Sequence, residues 1–472
     1  MSVSAEGSAT APLQVEDITV TDEGAVKRAV SAAMLGNAME WYDFGVYAYL
    51  ATTIGRVFFP DSSPSAQLLF TFATFAAAFV VRPLGGMFFG PLGDRIGRKK
   101  VLATTMLVMA ASTFCIGLII PSYGAIGVFA PVLLVVLRLI QGFSTGGEYG
   151  GASTFIVEYV PDKRRGFFAS FLEFGTLGGY VVAAGVATIV QAVSDPVALD
   201  SWAWRIPFLV ALPLGGIGLY LRLRLEETPA FQRLEEEAKT AGADTPAHQL
   251  RDTFVGQWRP LALCIGLVLV LNVTDYMLLS YMPTYLSSTL GYNETHGLVI
   301  IVVVMALMMV AISFVGRWSD RVGRKPLLVA GCVGFFVLSL PSFLLIKAGS
   351  YLSIFLGLAI LGALLLLFIG VLPSTLPALF PTGVRYGGMA IGYNISVALF
   401  GGTTPLLTSF LEDKTGSDLV APVNLMVAAA SGLVAVVLIP ETAGRPLAGS
   451  PPSVATDREA QQLAAARQEL TR

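Results

Sequence analysis

Residues 90–100 read GPLGDRIGRKK and residues 316–326 read GRWSDRVGRKP, so the chain carries the frame G-x-x-x-D-R-x-G-R-K twice. The two copies begin 226 residues apart (316 minus 90) in a chain of 472 residues. Each copy lies between two apolar stretches. A ten-residue frame that recurs at the same place in each half indicates an internal repeat. The sequence therefore predicts two halves of the same architecture, arranged as parallel repeats.

The composition excludes an ordinary soluble protein. Hydrophobic residues make up 54% of the chain and charged residues only 13%, against roughly 25% charged residues in a typical soluble domain. The apolar residues come in blocks of about twenty, the length that crosses a bilayer core. Backbone amides find no water in lipid, so each block is predicted to be helical. We expect an all-α integral membrane fold with twelve transmembrane helices in two six-helix bundles. The predicted spans are 31–54, 67–92, 101–120, 126–149, 167–190, 204–222, 261–289, 296–318, 327–346, 352–376, 384–411 and 420–439.

The soluble segments are short, and their charges predict the topology. Lysine and arginine cluster in the links after even-numbered spans, whereas the links after odd-numbered spans are mostly acidic. The positive-inside rule then places both termini in the cytoplasm. The predicted organisation is a cytoplasmic arm (1–28), an N-terminal bundle (29–225), a central cytoplasmic loop (226–259), a C-terminal bundle (260–440) and a cytoplasmic tail (441–472).

The repeated frame also has a mechanical interpretation. Its glycines allow helices to approach closely, and its arginines can donate paired hydrogen bonds to carboxylates. A charge lock between helices would hold the cytoplasmic side shut in one state. Positive-inside topology alone would explain the arginines but not the fixed glycines and aspartates. The predicted cytoplasmic gate consists of Gly90, Asp94, Arg95, Gly97 and Arg98 in the first copy, and of Gly316, Asp320, Arg321, Gly323 and Arg324 in the second.

Polar and ionisable residues inside the predicted spans indicate a functional interior, because such residues are costly in a membrane and usually face the bundle. Any one of them could be a structural pair between helices, but the set as a whole favours a path for an ion or substrate. In span 1, one helix face carries Asn37, Glu40, Phe44 and Tyr47 at helical spacing, and Asp43 borders that face. The candidates for substrate binding and coupling are Asn37, Glu40, Asp43, Phe44, Tyr47, Arg82, Arg138, Glu148, Glu173, Asp275 and Tyr276.

These residue types suggest separate roles. Arg82 and Arg138 could bind a carboxylate substrate or anchor an acidic partner, and Asp43 and Glu148 are candidate proton carriers. Aromatic side chains near the charges could form a cage for an ammonium group, although packing is their commoner use. The chain shows no phosphate loop, no metal-ligand cluster and no nucleophile paired with histidine, so we expect neither an enzyme nor a cofactor or metal. A membrane sensor would need a sizeable soluble output domain, which residues 226–259 are too few to form.

Several stretches are similar to one family. The strings GNAMEWYDFGVY (36–47), RPLGGMFFGPLGDRIGRKK (82–100), QGFSTGGEYGGAS (141–153) and NVTDYMLLSYMPTYLS (272–287) resemble the metabolite:proton symporters of the major facilitator superfamily. The resemblance runs from about residue 15 to about residue 447. It implies proton-coupled import of a small carboxylate or zwitterion by alternating access, across a bacterial-type cell membrane.

The resemblance narrows the substrate but leaves an alternative. The strings YMLLSYMPTYLS and STLPALFPTGVRY are similar to family members that carry proline and glycine betaine, which implies a zwitterionic compatible solute. A dicarboxylate or another organic acid, such as oxoglutarate, citrate or shikimate, is the alternative. Two features depart from that pattern: Asp275 stands where those members have an aromatic residue, and the tail is too short for their long coiled coil. The implied partners are the lipid bilayer, the solute and protons, with no nucleic acid and no obligate protein partner.

Overall fold

The structure is a computed structural model that describes residues 14–96, 98–118, 123–223 and 256–470. Within these residues, helices occupy the positions of all twelve predicted spans, which confirms the predicted fold class. Nine helices in this part of the chain are long and apolar enough to cross a membrane. Two more, at Ala103–Leu118 and Ala203–Ile217, are shorter and apolar. The remaining span, which begins with Glu23–Tyr49, contains many of the polar side chains described below.

The first six spans form the N-terminal half, and short helical pieces connect them. Three of these spans are each built from two consecutive helices. Span 1 is Glu23–Tyr49 with Ala51–Phe58, span 2 is Pro64–Val80 with Arg82–Ile96, span 3 is Arg98–Leu118, span 4 is Phe129–Thr145 with Glu148–Tyr159, span 5 is Arg165–Val193 and span 6 is Ile206–Leu223. The connecting pieces are Tyr123–Ile126, Asp162–Arg164, Pro196–Ser201 and Ala203–Arg205.

The last six spans form the C-terminal half, in which two spans contain π-helical segments. Span 7 is Trp258–Asp275, the π-helix Tyr276–Tyr281, Met282–Thr284 and the π-helix Tyr285–Thr289. Span 8 is Glu294–Val322, span 9 is Arg324–Lys347, and span 10 is Tyr351–Ile369 with Leu372–Thr375. Span 11 is Arg385–Ser396, the π-helix Val397–Gly401 and Thr403–Thr415, and span 12 is Val420–Leu438. The 3-10 turns Pro377–Leu379 and Thr382–Val384 connect spans 10 and 11.

Two helices extend well beyond the apolar blocks that predicted them. The first begins at Glu23, inside the predicted arm of residues 1–28, because the Asp22 carboxylate caps it by accepting from the amides of Gly24 (3.2 Å) and Ala25 (2.8 Å). Side-chain capping of this kind stabilises a helix end regardless of hydropathy. Span 4 continues to Tyr159, ten residues past its predicted end. Residues 1–13 of the predicted arm and most of the predicted central loop lie outside the described residues.

The two chain termini are joined to each other. Strand β1 (Thr19–Val20) pairs in parallel with strand β2 (Ser453–Val454). The following helix, Asp457–Leu470, buries Ala460 and Ala464 in a small cluster with Ile18. The arm and the tail therefore form one unit, which we call the terminal clasp.

The two halves meet chiefly where span 5 packs against span 8 and where span 2 packs against span 11. Large apolar side chains such as Val310 and Phe314 remain exposed on the perimeter of span 8. A perimeter of this kind suits lipid contact. Most residues of the candidate site lie in the interior, near the interface of the two halves.

Candidate functional site

A buried ion pair joins spans 1 and 2 in the centre of the N-terminal half. The Arg82 Nη2 atom donates to the Glu40 Oε1 atom, and both side chains are only 1% exposed. The Arg82 guanidinium carbon also lies 4.8 Å from the ring centroids of Phe44 and Phe79. Of the two roles predicted for Arg82, this geometry favours the anchoring of an acidic partner.

Arg138 of span 4 lies beside this pair with much of its hydrogen-bonding capacity unused. Its Nη1 atom donates to Gln141 Oε1, but its Nε and Nη2 atoms have no hydrogen-bond partner among the described residues. The guanidinium carbon is 4.2 Å from the ring centroid of Tyr47 and 5.1 Å from that of Phe44. Asp43 interacts electrostatically with Arg138. A fully buried cation with free donors on aromatic faces is suited to bind a carboxylate.

Aromatic rings from both halves pack beside these charges. The Phe44 and Phe75 centroids lie 6.3 Å apart, in an edge-to-face arrangement. Tyr276 of span 7 lies 6.2 Å from Phe75 and 5.8 Å from Trp41. Its hydroxyl has no hydrogen-bond partner within the described part of the chain. The rings thus form a continuous surface from the cations of the N-terminal half to span 7.

The acids Glu173 and Asp275 are brought to the same region from opposite halves. Tyr149 donates its hydroxyl hydrogen bond to Glu173 Oε1 at 2.5 Å, and its ring stacks on Tyr393 of span 11 with centroids 4.0 Å apart. Asp275 and Glu173 are close enough to repel each other electrostatically. Asp275 is 5% exposed and forms no hydrogen bond or ion pair with any described residue.

Two predicted residues lie in helix contacts instead. Asn37 donates to the Leu172 carbonyl (2.9 Å) and to the Thr176 hydroxyl (2.6 Å), so it ties span 1 to span 5. Glu148 accepts a hydrogen bond from Thr105 of span 3 at 3.0 Å. These contacts are internal to the N-terminal half.

At the end of the bundle that carries the repeated frame, here called the repeat end, the second copy contacts the other half. The Asp320 carboxylate accepts from the backbone amides of Gly166 (2.7 Å) and Phe167 (2.9 Å), at the start of span 5. A Cβ atom on Gly316 would lie 2.6 Å from the Gly166 carbonyl oxygen, so spans 5 and 8 cross at a point that admits only glycine. The cross-half partner of Asp320 is thus a helix N-terminus, where a carboxylate is favoured.

The rest of the second copy organises the start of span 9. Gly323 adopts a φ of 103° between spans 8 and 9. Buried Arg324 lies 3.9 Å from Asp320 and donates to the Ser374 carbonyl at 3.0 Å, whereas Arg321 is exposed. The Glu441 carboxylate accepts from the Arg324 amide at 3.0 Å. In the first copy, Gly97, the surroundings of Gly90 and the side chains of Asp94, Arg95 and Arg98 lie outside the described residues.

Glu441 follows span 12 and binds four backbone amides. Burial opposes its ionisation, but hydrogen bonds from the amides of Ala443, Arg324, Lys325 and Thr442 outweigh burial and hold its pKa below the usual range. The ionised carboxylate thereby caps span 9.

Further polar contacts join the two halves at both ends. At the repeat end, Arg385 Nη1 donates to Glu158 Oε1 at 2.7 Å. At the opposite end, Thr52 donates to Glu294 Oε1 at 2.6 Å. Between them, the Tyr180 hydroxyl and the Ser280 hydroxyl are 3.0 Å apart. Hydrogen bonds between the two halves therefore lie on both sides of the polar cluster.

Several members of the cluster were not predicted from the sequence. Gln141 lies three residues after Arg138, a spacing at which helical side chains meet, so it could have been identified. Tyr149 follows Glu148 directly but lies on a different face. Tyr393 gave no signal, since its role depends on which spans adjoin across the two halves. Among the described residues, no group of three or more His, Cys, Asp or Glu side chains could hold a metal ion.

Comparison with known proteins identifies the family. The model of the family described as "Sugar (and other) transporter" matches residues 29–452. The proline/betaine transporter of Escherichia coli is 48% identical over 456 residues, covering 96% of this chain and 91% of that protein. The glycine betaine/proline/ectoine/pipecolic acid transporter OusA of Dickeya dadantii is 47% identical over 456 residues, which again cover 96% of this chain and 91% of that protein.

A solved structure supports the fold. The proton:xylose symporter XylE, a major facilitator protein, matches with a TM-score of 0.72 over 90% of this chain and 98% of that chain, at 20% identity. At that identity the likeness concerns the fold alone. The chain therefore belongs to the sugar (and other) transporter family and is a multi-pass membrane transporter of the major facilitator fold, not an enzyme.

Proposed function

We propose that this chain is a proton-coupled symporter that imports a small zwitterionic compatible solute of the proline and glycine betaine type. The observation that carries the proposal is Arg138, a fully buried cation whose Nε and Nη2 donors have no partner among the described residues. Burial of an unpaired cation destabilises a protein by on the order of several kcal/mol, unless an anion pairs with it. A solute carboxylate would supply that anion.

The relatives support this substrate class. Proline, glycine betaine, ectoine and pipecolic acid, the solutes in the relatives' names, all carry a carboxylate and a cationic nitrogen group. An organic dianion would need Arg82 as a second free cation. Arg82 is instead paired with Glu40 and stacked on two rings, which argues against the dicarboxylate alternative.

For the topology, we propose that the repeat end faces the cytoplasm, with both termini on that side. The basic links of the sequence support this orientation. The proposed bundles are residues 29–225 and 260–440, joined by the central loop of residues 226–259.

Transport would proceed by alternating access, with the two halves rocking around the central cluster. Outward opening would break the bond between Thr52 and Glu294. Inward opening would break the contacts of Asp320 with span 5 and the pair of Arg385 and Glu158. The repeated frame acts in this proposal as the cytoplasmic gate.

Asp43 and Glu148 are the proposed proton carriers. Asp43 adjoins Arg138, so a solute carboxylate that binds Arg138 would weaken the attraction between Arg138 and an ionised Asp43. This arrangement couples solute binding to protonation. Asp43→Asn and Glu148→Gln are each expected to abolish uphill accumulation while preserving exchange of labelled for unlabelled solute. Uphill accumulation by either variant would refute the coupling role of that residue.

The test of the function is uptake of labelled proline and glycine betaine by a transport-deficient bacterial strain that expresses the chain. Uptake is expected to be sensitive to a proton uncoupler and lost in Arg138→Gln at equal membrane abundance. Labelled oxoglutarate serves as the competing substrate. Uptake of oxoglutarate but of neither zwitterion would replace the proposal with the organic-acid alternative.

A further inference from the structure

Asp275 is a buried carboxylate of span 7. It ends the helix Trp258–Asp275, and the π-helix Tyr276–Tyr281 follows directly. Its side chain is 5% exposed and has no hydrogen bond or ion pair within the described part of the chain. Such a group inside a transporter is expensive, which points to a function in binding, and π-helical segments are frequent at functional sites.

The surroundings of Asp275 attract cations, and no Lys or Arg side chain in the described part of the chain forms an ion pair with it. Glu173 repels Asp275 electrostatically, and Tyr49, Tyr180 and Tyr276 are near enough to interact with it. The Trp41 ring lies 5.4 Å from the Tyr180 ring, close to the same acid. Aromatic faces and carboxylates both favour a positive group. A bound cation would also relieve the repulsion between the two acids.

Asp275 and Arg138 stand in different halves, and aromatic rings lie between them. Arg138 lies over Phe75, with its guanidinium carbon 5.5 Å from the ring centroid. The Phe75 centroid is 6.2 Å from that of Tyr276, the residue next to Asp275. Asp275 and the unused donors of Arg138 thus flank one aromatic surface. A zwitterion on that surface would meet Arg138 with its carboxylate and Asp275 with its nitrogen.

We propose that Asp275 binds the cationic nitrogen of the solute and selects solutes whose nitrogen carries N–H groups over those with a quaternary nitrogen. This inference rests on the proposed function. A carboxylate accepts a strong charge-assisted hydrogen bond from an ammonium N–H. A quaternary ammonium has no N–H to donate and retains only the charge attraction and the contacts with the rings.

The test uses a substrate series that changes only the nitrogen: proline, N-methylproline and N,N-dimethylproline. In the parent chain, we expect kcat/KM to fall along the series by at least about tenfold, the scale of one buried hydrogen bond to a charged group. Asp275→Ala is expected to flatten the series by lowering the efficiency for proline most. Asp275→Asn, which keeps an acceptor without the charge, should lie between the two. Ser339→Ala is the matched control, because the buried Ser339 hydroxyl bonds only the Phe335 carbonyl of its own helix.

The outcomes separate the inference from the function on which it rests. A flattened series in an abundant Asp275→Ala protein supports the inference, and a retained slope overturns it. Equal loss for all three solutes together with loss of uncoupler sensitivity also overturns it, because Asp275 would then be a proton carrier. If Asp275→Ala does not reach the membrane, the slope in Asp275→Asn decides in the same way. If the parent chain carries no member of the series, the proposed function fails instead.

Discussion

Replacement of Glu40 or Arg82 tests whether this buried ion pair stabilises the fold. Both side chains are 1% exposed, and removal of one partner from a buried pair costs about 3–5 kcal/mol. Glu40→Leu should lie near the lower value, since Arg82 keeps its contacts with two aromatic rings at 4.8 Å. A loss of about 3 kcal/mol lowers the ratio of folded to unfolded protein roughly a hundredfold.

The double variant Glu40→Leu/Arg82→Met provides the control. It removes both charges and keeps apolar volume, so its free energy of unfolding is expected to return to within about 1 kcal/mol of the parent. Both single variants should therefore be less stable than the double variant. Equilibrium unfolding in mixed micelles of a mild detergent and SDS gives the free energy of unfolding of the parent, Glu40→Leu, Arg82→Met and the double variant. The change in the double variant minus the sum of the two single changes is the coupling free energy.

Two results would refute this reasoning. Single variants within about 1 kcal/mol of the parent would mean that water or lipid compensates the remaining charge. A double variant that is less stable than both single variants would mean that the pair stabilises through specific hydrogen bonds. The same proteins test the role of Arg82 in uptake. If Arg82 only anchors Glu40, the double variant keeps measurable proline uptake, whereas Arg138→Gln loses it.

Three further predictions concern packing and the repeat end. Gly142→Ala should destabilise the purified protein in thermal unfolding by about 1–3 kcal/mol, because the added Cβ atom would lie 1.7 Å from a backbone carbonyl oxygen of span 2. Gly185→Ala is the control and should change stability little, because a Cβ atom there would have none of the described heavy atoms within 4 Å. Glu441→Gln should cost about 1 kcal/mol, and because the Glu441 pKa is lowered, the parent's advantage should be present above the ordinary glutamate pKa and disappear as pH falls through the folded-state pKa. Deletion of residues 448–472 should speed amide hydrogen exchange in the links between spans 4 and 5 and between spans 10 and 11, since the Ser453 amide donates to Asp162 in the first link and the Ala448 carbonyl accepts from the Thr382 amide in the second. Unchanged exchange would mean that the terminal clasp does not hold these links.

The twelve spans were predictable because an apolar block of membrane length has few alternatives to a helix. The ends of the spans were less predictable, because hydropathy identifies the membrane-embedded part of a helix but not the capping residue at its end. Asp22 starts span 1 within polar sequence. At Gly146 and Gly147 span 4 is interrupted, yet the chain resumes a helix as far as Tyr159. The two-residue strands of the terminal clasp carry no periodic pattern at all.

The candidate site was predictable as a set of residues but not as a set of pairs. Intramembrane charge alone drew attention to Glu40, Asp43, Arg82 and Arg138. Which acid meets which arginine depends on the rotation of span 1 and on its neighbours, and one sequence does not contain that information. The same limit explains Asn37, which shares the face of Glu40 in sequence but bonds span 5.

The distribution of paired and unpaired charges suggests how binding of the solute drives the two halves to close around it. Arg82 is neutralised within its own half, whereas Arg138 and Asp275 lie in opposite halves without ion-pair partners of adequate geometry among the described residues. If the two proposals hold, a solute with both charges satisfies both halves at once, and the halves gain that attraction only by closing on it. A solute with one charge would leave the other buried and unpaired, at a cost of several kcal/mol, roughly that of a broken buried pair. Selectivity for zwitterions would then arise from rejection of singly charged solutes as much as from attraction.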